Sequence, residues 1–233
     1  KFKINSMKKI KFLTLATIIT LVFTSCSNEE TLLSNDLNSK LLKSYKVKRD
    51  ATGAYSIDYD LYDNAIVAKN TNSSLNEFSL YSTDKETPKK LDETLLINNN
   101  QLKIGFIDNN TNKKQYVTVF DDDITLSKKS ADKSFLKSYN ITSNDDGIYT
   151  LDFTIKNNSD VTFVFNEEKR TYEIHLEKGK NSETTFERTF EKEEGEVLKI
   201  DFVNHIPNTS AKSDGNEVLI KKPVIIIDDA ITD

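Results

Sequence analysis

Side chains able to do chemistry are few in this chain, and they are scattered. One cysteine, Cys26, and two histidines, His175 and His205, are the whole supply of thiol and imidazole in 233 residues, so a nucleophile–base triad is hard to assemble. His175 lies in Tyr172-Glu173-Ile174-His175-Leu176, where alternation sets it beside Glu173 and Glu177 on an outward, solvated face. His205, in Val203-Asn204-His205-Ile206-Pro207, falls at the end of an apolar strand. The sequence holds no histidine pair at metal-binding spacing, no phosphate loop, no dinucleotide fingerprint and no nucleophile elbow. Carboxylates are plentiful, but a hydrolytic pair of acids is placed by the fold and not by spacing, so no catalytic residue is assigned and a non-enzymatic protein is expected. The best ion site is Asp121-Asp122-Asp123, echoed by Asp228-Asp229. Calcium takes several carboxylate oxygens converging from loops and strand ends, which Asp121, Asp122, Asp228 and Asp229 could supply. No complete DxDxDG loop accompanies them, and acids after an apolar strand commonly end it in solvent or guard an edge. Tyr45 and Tyr139 recur with the same Leu-Lys-Ser neighbours and are candidates for equivalent binding spots; the competing expectation is a core ring with its hydroxyl tied to backbone.

Cys26 is distinguished by its position. Lys8, Lys9 and Lys11 follow Met7, the run from Phe12 to Phe23 is apolar or threonine, and small Thr24 and Ser25 precede the cysteine. That is the three-part grammar of a secretory signal, with an apolar run too short to span a bilayer core of about 20 residues. Phe23-Thr24-Ser25-Cys26 resembles the lipobox of bacterial lipoproteins. The resemblance implies that the Cys26 thiol receives diacylglycerol, that the chain is cut before it, and that its new amino group is acylated with a chain such as palmitate. Glu29-Glu30, just beyond, resembles the acidic tag that sends Bacteroidota-type lipoproteins to the outer face of the outer membrane. Each buried methylene contributes about 0.8 kcal/mol, and stable anchoring needs more than one chain. Lys1 to Ser6, upstream of Met7, are read as an extended translation and set aside.

Charge narrows the partners. The chain has a formal charge of −5. Residues 1–25 hold five lysines and no acid, so their removal leaves −10, and an acidic mature protein is not expected to bind nucleic acid or anionic lipid through a general basic field. Tryptophan is absent, glycine and proline are few, and the apolar content is Ile, Leu, Val, Phe and Tyr, the types that favour strands.

The chain also contains a repeat. Residues 42–61 and 136–155 align without a gap with seven identities in twenty positions. Leu42-Lys43-Ser44-Tyr45 returns as Leu136-Lys137-Ser138-Tyr139, Gly53 as Gly147, Tyr55 as Tyr149 and Asp58 as Asp152. Leu102-Lys103-Ile104 then matches Leu198-Lys199-Ile200, and Val117 to Asp122 matches Val224 to Asp229. The spacing between matched segments grows along the chain, which places insertions in loops of the second copy, chiefly Pro207 to Asn216. The expected organisation is an upstream extension and signal over 1–25, a lipidated tether over 26–40, one domain over 41–126, a linker over 127–134 and a second domain over 135–233.

Period-two alternation runs through both copies. Tyr55, Ile57, Tyr59 and Leu61 share one face, as do Tyr149, Leu151, Phe153 and Ile155; Val161, Phe163 and Phe165 are followed by Tyr172, Ile174 and Leu176, with Glu167-Glu168-Lys169 as the hairpin tip. About seven short strands per copy suit an all-β fold of two tandem antiparallel, immunoglobulin-like sandwiches, here without the usual disulfide and tryptophan. A pair of small barrels is the alternative. The functional expectation is a lipid-anchored cell-surface binding or scaffolding protein in the outer membrane, engaging a protein or glycan whose identity is open. Two tandem sandwiches on an anchor are also similar in plan to the SusE and SusF families, which implies a glycan-binding accessory role with Tyr81 and Tyr116 as sugar platforms. An inhibitor of secreted hydrolases is the third reading.

Overall fold

The computed structural model describes residues 40–72, 75–84, 90–95, 97, 99–121, 134–144, 147–206 and 218–231. Cys26 and its tether, the 127–133 part of the linker, Asp122, Asp123 and the insertion at 207–217 lie outside them.

The first copy supplies β1 (Leu42–Arg49), β2 (Tyr55–Leu61), β3 (Ala65–Asn72), β4 (Leu75–Ser82), β5 (Lys90–Leu95), β6 (Gln101–Asp108) and β7 (Lys113–Phe120). The second supplies β8 (Leu136–Ser143), β9 (Ile148–Ile155), β10 (Ser159–Asn166), β11 (Thr171–Lys178), β12 (Thr185–Glu191), β13 (Leu198–Ile206) and β14 (Val218–Ile231). These fourteen strands form two sheets, and no helix occurs among the described residues. Alternation drives each strand to bury one face: in β2, Tyr55, Ile57, Tyr59 and Leu61 are buried between half-buried Ser56, Asp58 and Asp60. The same holds in β9. Sharp turns follow β1 and β8, where Gly53 and Gly147 take positive φ of 88° and 71°, a conformation that Cβ-bearing residues resist. Asp50 closes the first turn by accepting from the Thr52 and Ala54 amides.

Both sheets run through both copies. The six-stranded sheet is ordered β12-β9-β8-β1-β2-β5 and the eight-stranded sheet β10-β11-β13-β14-β7-β6-β4-β3, each a palindrome in terms of the repeat. At the centre of the first, β1 and β8 pair antiparallel with Val47 opposite its own counterpart Ile141; at the centre of the second, β7 and β14 pair with Thr118 opposite Ile226. This is the arrangement of an isologous dimer, in which one surface meets its own copy across a twofold axis. The halves expected as separate sandwiches at 41–126 and 135–233 are joined strand to strand, and contacts group Leu37–Asp233 as one compact unit.

The sheets are not wholly antiparallel. β4 runs parallel to β6 and β11 to β13, unlike the antiparallel immunoglobulin-like pattern. The reason lies in the intervening strand: β5, or β12, crosses to the other sheet, so the chain returns in its earlier direction, and a parallel pair needs such a crossover. Aromatic rings fill the space between sheets, with Tyr45 stacked on Phe106 at 5.1 Å and Phe153 edge-on to Phe202 at 5.4 Å. One apolar core spans both copies.

Candidate binding cavity

The twofold relation makes two interior sites comparable atom by atom. Each lies where the end of β1 or β8 meets the tyrosine that opens β2 or β9, the tyrosine near the start of the opposite copy's first strand, and an aspartate following the inward face of β7 or β14.

In the first site Tyr45 and Val47 point into the core, and alternation carries Arg49 inward with them. Its Nε donates to Asp121 Oδ2 at 2.6 Å, and its Nη1 donates to the Lys137 carbonyl at 3.2 Å. Tyr55 donates its hydroxyl to the same Asp121 oxygen at 2.7 Å and lies 3.1 Å from the hydroxyl of Tyr139. Arg49 is 6% exposed and Asp121 1%. Burial opposes the guanidinium charge, but Asp121, with Tyr55 and Tyr139 beside it, outweighs burial and holds its pKa above the ordinary value. Burial, then Tyr139 and Asp121, push the Tyr55 hydroxyl well up, so it stays a donor. The polar groups of this site are paired with one another, and a cavity of about 490 Å³ borders Arg49, Tyr55 and Tyr139.

In the second site the residue at the Arg49 position is Ser143, again pointing inward. The short hydroxymethyl reaches nothing comparable, and a cavity of about 390 Å³ opens there, within the range of small-molecule pockets. Tyr45 and Tyr149 take the places of Tyr139 and Tyr55. Gln115 donates to the Tyr149 hydroxyl at 2.6 Å. The Tyr45 hydroxyl, on a residue 1% exposed, has no hydrogen-bond partner of good geometry, although Tyr149 and Ser143 stand near enough to act on its titration. Burial first, then Tyr149, pushes it well up. Two further buried oxygens on this cavity are unpartnered, Thr111 Oγ1 and Asp229 Oδ1.

The cation that Ser143 cannot provide arrives from elsewhere. Lys192, just past β12, pairs its ammonium with Asp229 Oδ2. Its backbone is held at Gly147, whose carbonyl accepts from the Lys192 amide at 3.0 Å. A Cβ on Gly147 would come within 2.8 Å of the Lys192 carbonyl oxygen. Leu95 faces Tyr55 as Phe190 faces Tyr149, so the first-copy residue in the place of Lys192 is Ile97, and this lysine belongs to the second site alone.

Of the two acidic clusters expected for calcium, one in each copy, the described members are Asp121, Asp228 and Asp229. Asp121 lies against Arg49 and Tyr55, Asp229 against Lys192, and Asp228 is exposed. Asp229 faces Gln115, six residues before Asp121, which puts the two about 20 Å apart along the strands. No group of three or more His, Cys, Asp or Glu side chains is arranged for a metal among the described residues. The structural counterpart of Asp121 is Asp229, not Asp228 as the alignment has it. Val117, Val119 and Asp121 face inward and match Ile225, Ile227 and Asp229, a one-residue slip that exchanges the faces of the strand.

Tyr45 and Tyr139 are core residues whose hydroxyls meet side chains or nothing, not backbone. Tyr81 is exposed, and Lys103 sits over the Tyr116 ring at 4.7 Å; neither lines the cavity. His175 is half-buried: its Nδ1 is 2.8 Å from His205 Nε2 and its Nε2 3.1 Å from Glu173, which also accepts from Lys221 at 3.0 Å. Burial raises the Glu173 carboxyl, but Lys221, His175 and Asn166 together hold it below its ordinary value. Sequence reasoning missed Arg49, Ser143 and Lys192. The first two had a signal, a charged and a small polar residue at inward positions of matching strands. Comparison with protein-family models, with curated proteins and with solved structures finds no match for this chain.

Proposed function

We propose that the chain is a lipid-anchored surface protein of the outer membrane that binds a small ligand without transforming it. The leader before Cys26 supports the anchor. The observation that carries the binding role is the broken symmetry of the two interior sites: in one, Arg49 and Tyr55 are paired with Asp121, and in the other Ser143 stands in place of the arginine and three buried oxygens on a cavity are unpartnered. Asp58, Asn140, Ser159 and Asp201 each carry another such oxygen elsewhere, but three gather on this cavity, and each stands for a partner or a cost of about 1–3 kcal/mol. The polar groups on this cavity are hydroxyls, an amide and ion-paired carboxylates, which suit recognition better than proton transfer.

Thermal unfolding of the whole chain against a chemically mixed panel of small molecules tests this, run beside Ser143→Arg, which gives the second site the side chain that pairs with aspartate in the first. A compound present at 100 times its Kd contributes about 2.7 kcal/mol. The expected result is at least one compound that raises the Tm of the parent protein and leaves the variant unmoved. A panel that never separates the two proteins defeats the proposal.

A further inference from the structure

Three orphaned oxygens and an excess of ammonium groups around one cavity narrow the ligand. In its lining, Tyr45 and Thr111 carry buried hydroxyls and Asp229 one buried carboxylate oxygen, none with a hydrogen-bond partner of good geometry. The first two donate or accept and the third only accepts. Groups that both donate and accept satisfy all three, and hydroxyls do so. Phe106 and Leu80 supply an apolar wall beside them.

The remaining lining is cationic. Five lysines border the cavity against three carboxylates. Each carboxylate is already engaged: Asp108 accepts from the amides of Leu41, Asn110 and Thr111, Glu194 pairs with Lys113, and Asp229 with Lys192. Lys43 and Lys114 have no ion-pair partner among the described residues. In a protein of net charge −5 this concentration of ammonium groups at one opening is a local reversal of sign.

We infer that the cavity takes a small polyhydroxylated acid, of the sugar-acid class, its hydroxyls meeting Tyr45, Thr111 and Asp229 and its carboxylate meeting Lys43 and Lys114. The inference rests on the reading of the cavity as a binding site. A neutral sugar satisfies only the orphaned oxygens, and a simple carboxylate only the lysines.

Three probes separate these contributions, each titrated into the whole chain and followed by saturation-transfer NMR: galacturonate, galactose and propionate. Galacturonate is expected to bind at least about tenfold more tightly than either of the others, one good hydrogen bond or ion pair being worth about that much. Ser143→Arg is expected to abolish its binding and Lys114→Glu to weaken it about tenfold. Tyr45→Phe is the sharper variant, because removing an unpartnered buried hydroxyl leaves the Tm of the free protein unchanged or raised, while galacturonate affinity still falls. Galactose binding as tightly as galacturonate, or Lys114→Glu without effect, overturns the assignment of an acid. Other compounds binding in a Ser143→Arg-sensitive way, with none of the three probes doing so, overturns the ligand class and leaves the binding role standing. Silence from every compound overturns both.

Discussion

Truncating Asp121 to alanine removes the acceptor for two donors, Arg49 Nε at 2.6 Å and Tyr55 Oη at 2.7 Å, both on buried residues. Breaking a buried ion pair by deleting one partner costs about 3–5 kcal/mol, because the remaining charge stays desolvated. The Lys137 carbonyl keeps one guanidinium contact, so the lower half of that range is expected. For a protein of this size each kcal/mol moves Tm by about 2–4 °C, giving a fall of roughly 6–16 °C. Urea unfolding followed by far-UV circular dichroism measures the free energy directly. A companion variant, Arg49→Met with Asp121→Leu, removes both charges at similar volume and is expected to lie near the parent or above it. The reasoning is refuted if Asp121→Ala costs less than about 1 kcal/mol, the value of a solvated pair, or if the double variant is as unstable as the single one.

Two further outcomes follow from the described geometry and from the leader. Tyr45, Tyr55, Tyr59 and Tyr139 all titrate above the ordinary tyrosine value, chiefly through burial. Unfolding therefore releases protons at alkaline pH, so stability is fully present below about pH 10 and declines as pH rises beyond it; urea midpoints measured from pH 8 to 11 check this, and a flat profile speaks against the buried hydroxyls. Replacing Cys26 by serine is expected to move the protein out of the membrane fraction and to eliminate labelling by an alkynyl palmitate analogue, whereas unchanged fractionation argues against the anchor.

The strands were legible because alternation is a local property. Tyr55 to Leu61 and Tyr149 to Ile155 bury the residues their period marks, and the Glu167-Glu168-Lys169 tip lies between β10 and β11. The joining of the copies was not legible, because β1 meets β8 through backbone hydrogen bonds that any alternating strand can make. The slip between β7 and β14 escaped for a related reason: Val224 to Ile227 is apolar on both faces, so its sequence does not tell which face turns inward. The parallel pairs depend on β5 and β12 changing sheets, a long-range choice without a local signature. Lys192 reaches Asp229 from a segment with no repeat partner in the alignment. The cavity is thus a product of tertiary placement acting on one readable substitution, Arg49 against Ser143.

The palindromic strand order has a further consequence for how such a molecule can change. Two identical chains meeting across a twofold axis carry every substitution twice, so an arginine gained in one site is gained in the other. Fused into a single chain, the halves mutate independently while β1–β8 and β7–β14 hold them in the dimer geometry. One half is then free to become a buttress, stapled by Arg49 and Asp121, while its twin keeps a cavity whose buried oxygens are unpartnered. Covalent linkage gives this fold what a homodimer lacks, a left and a right that differ.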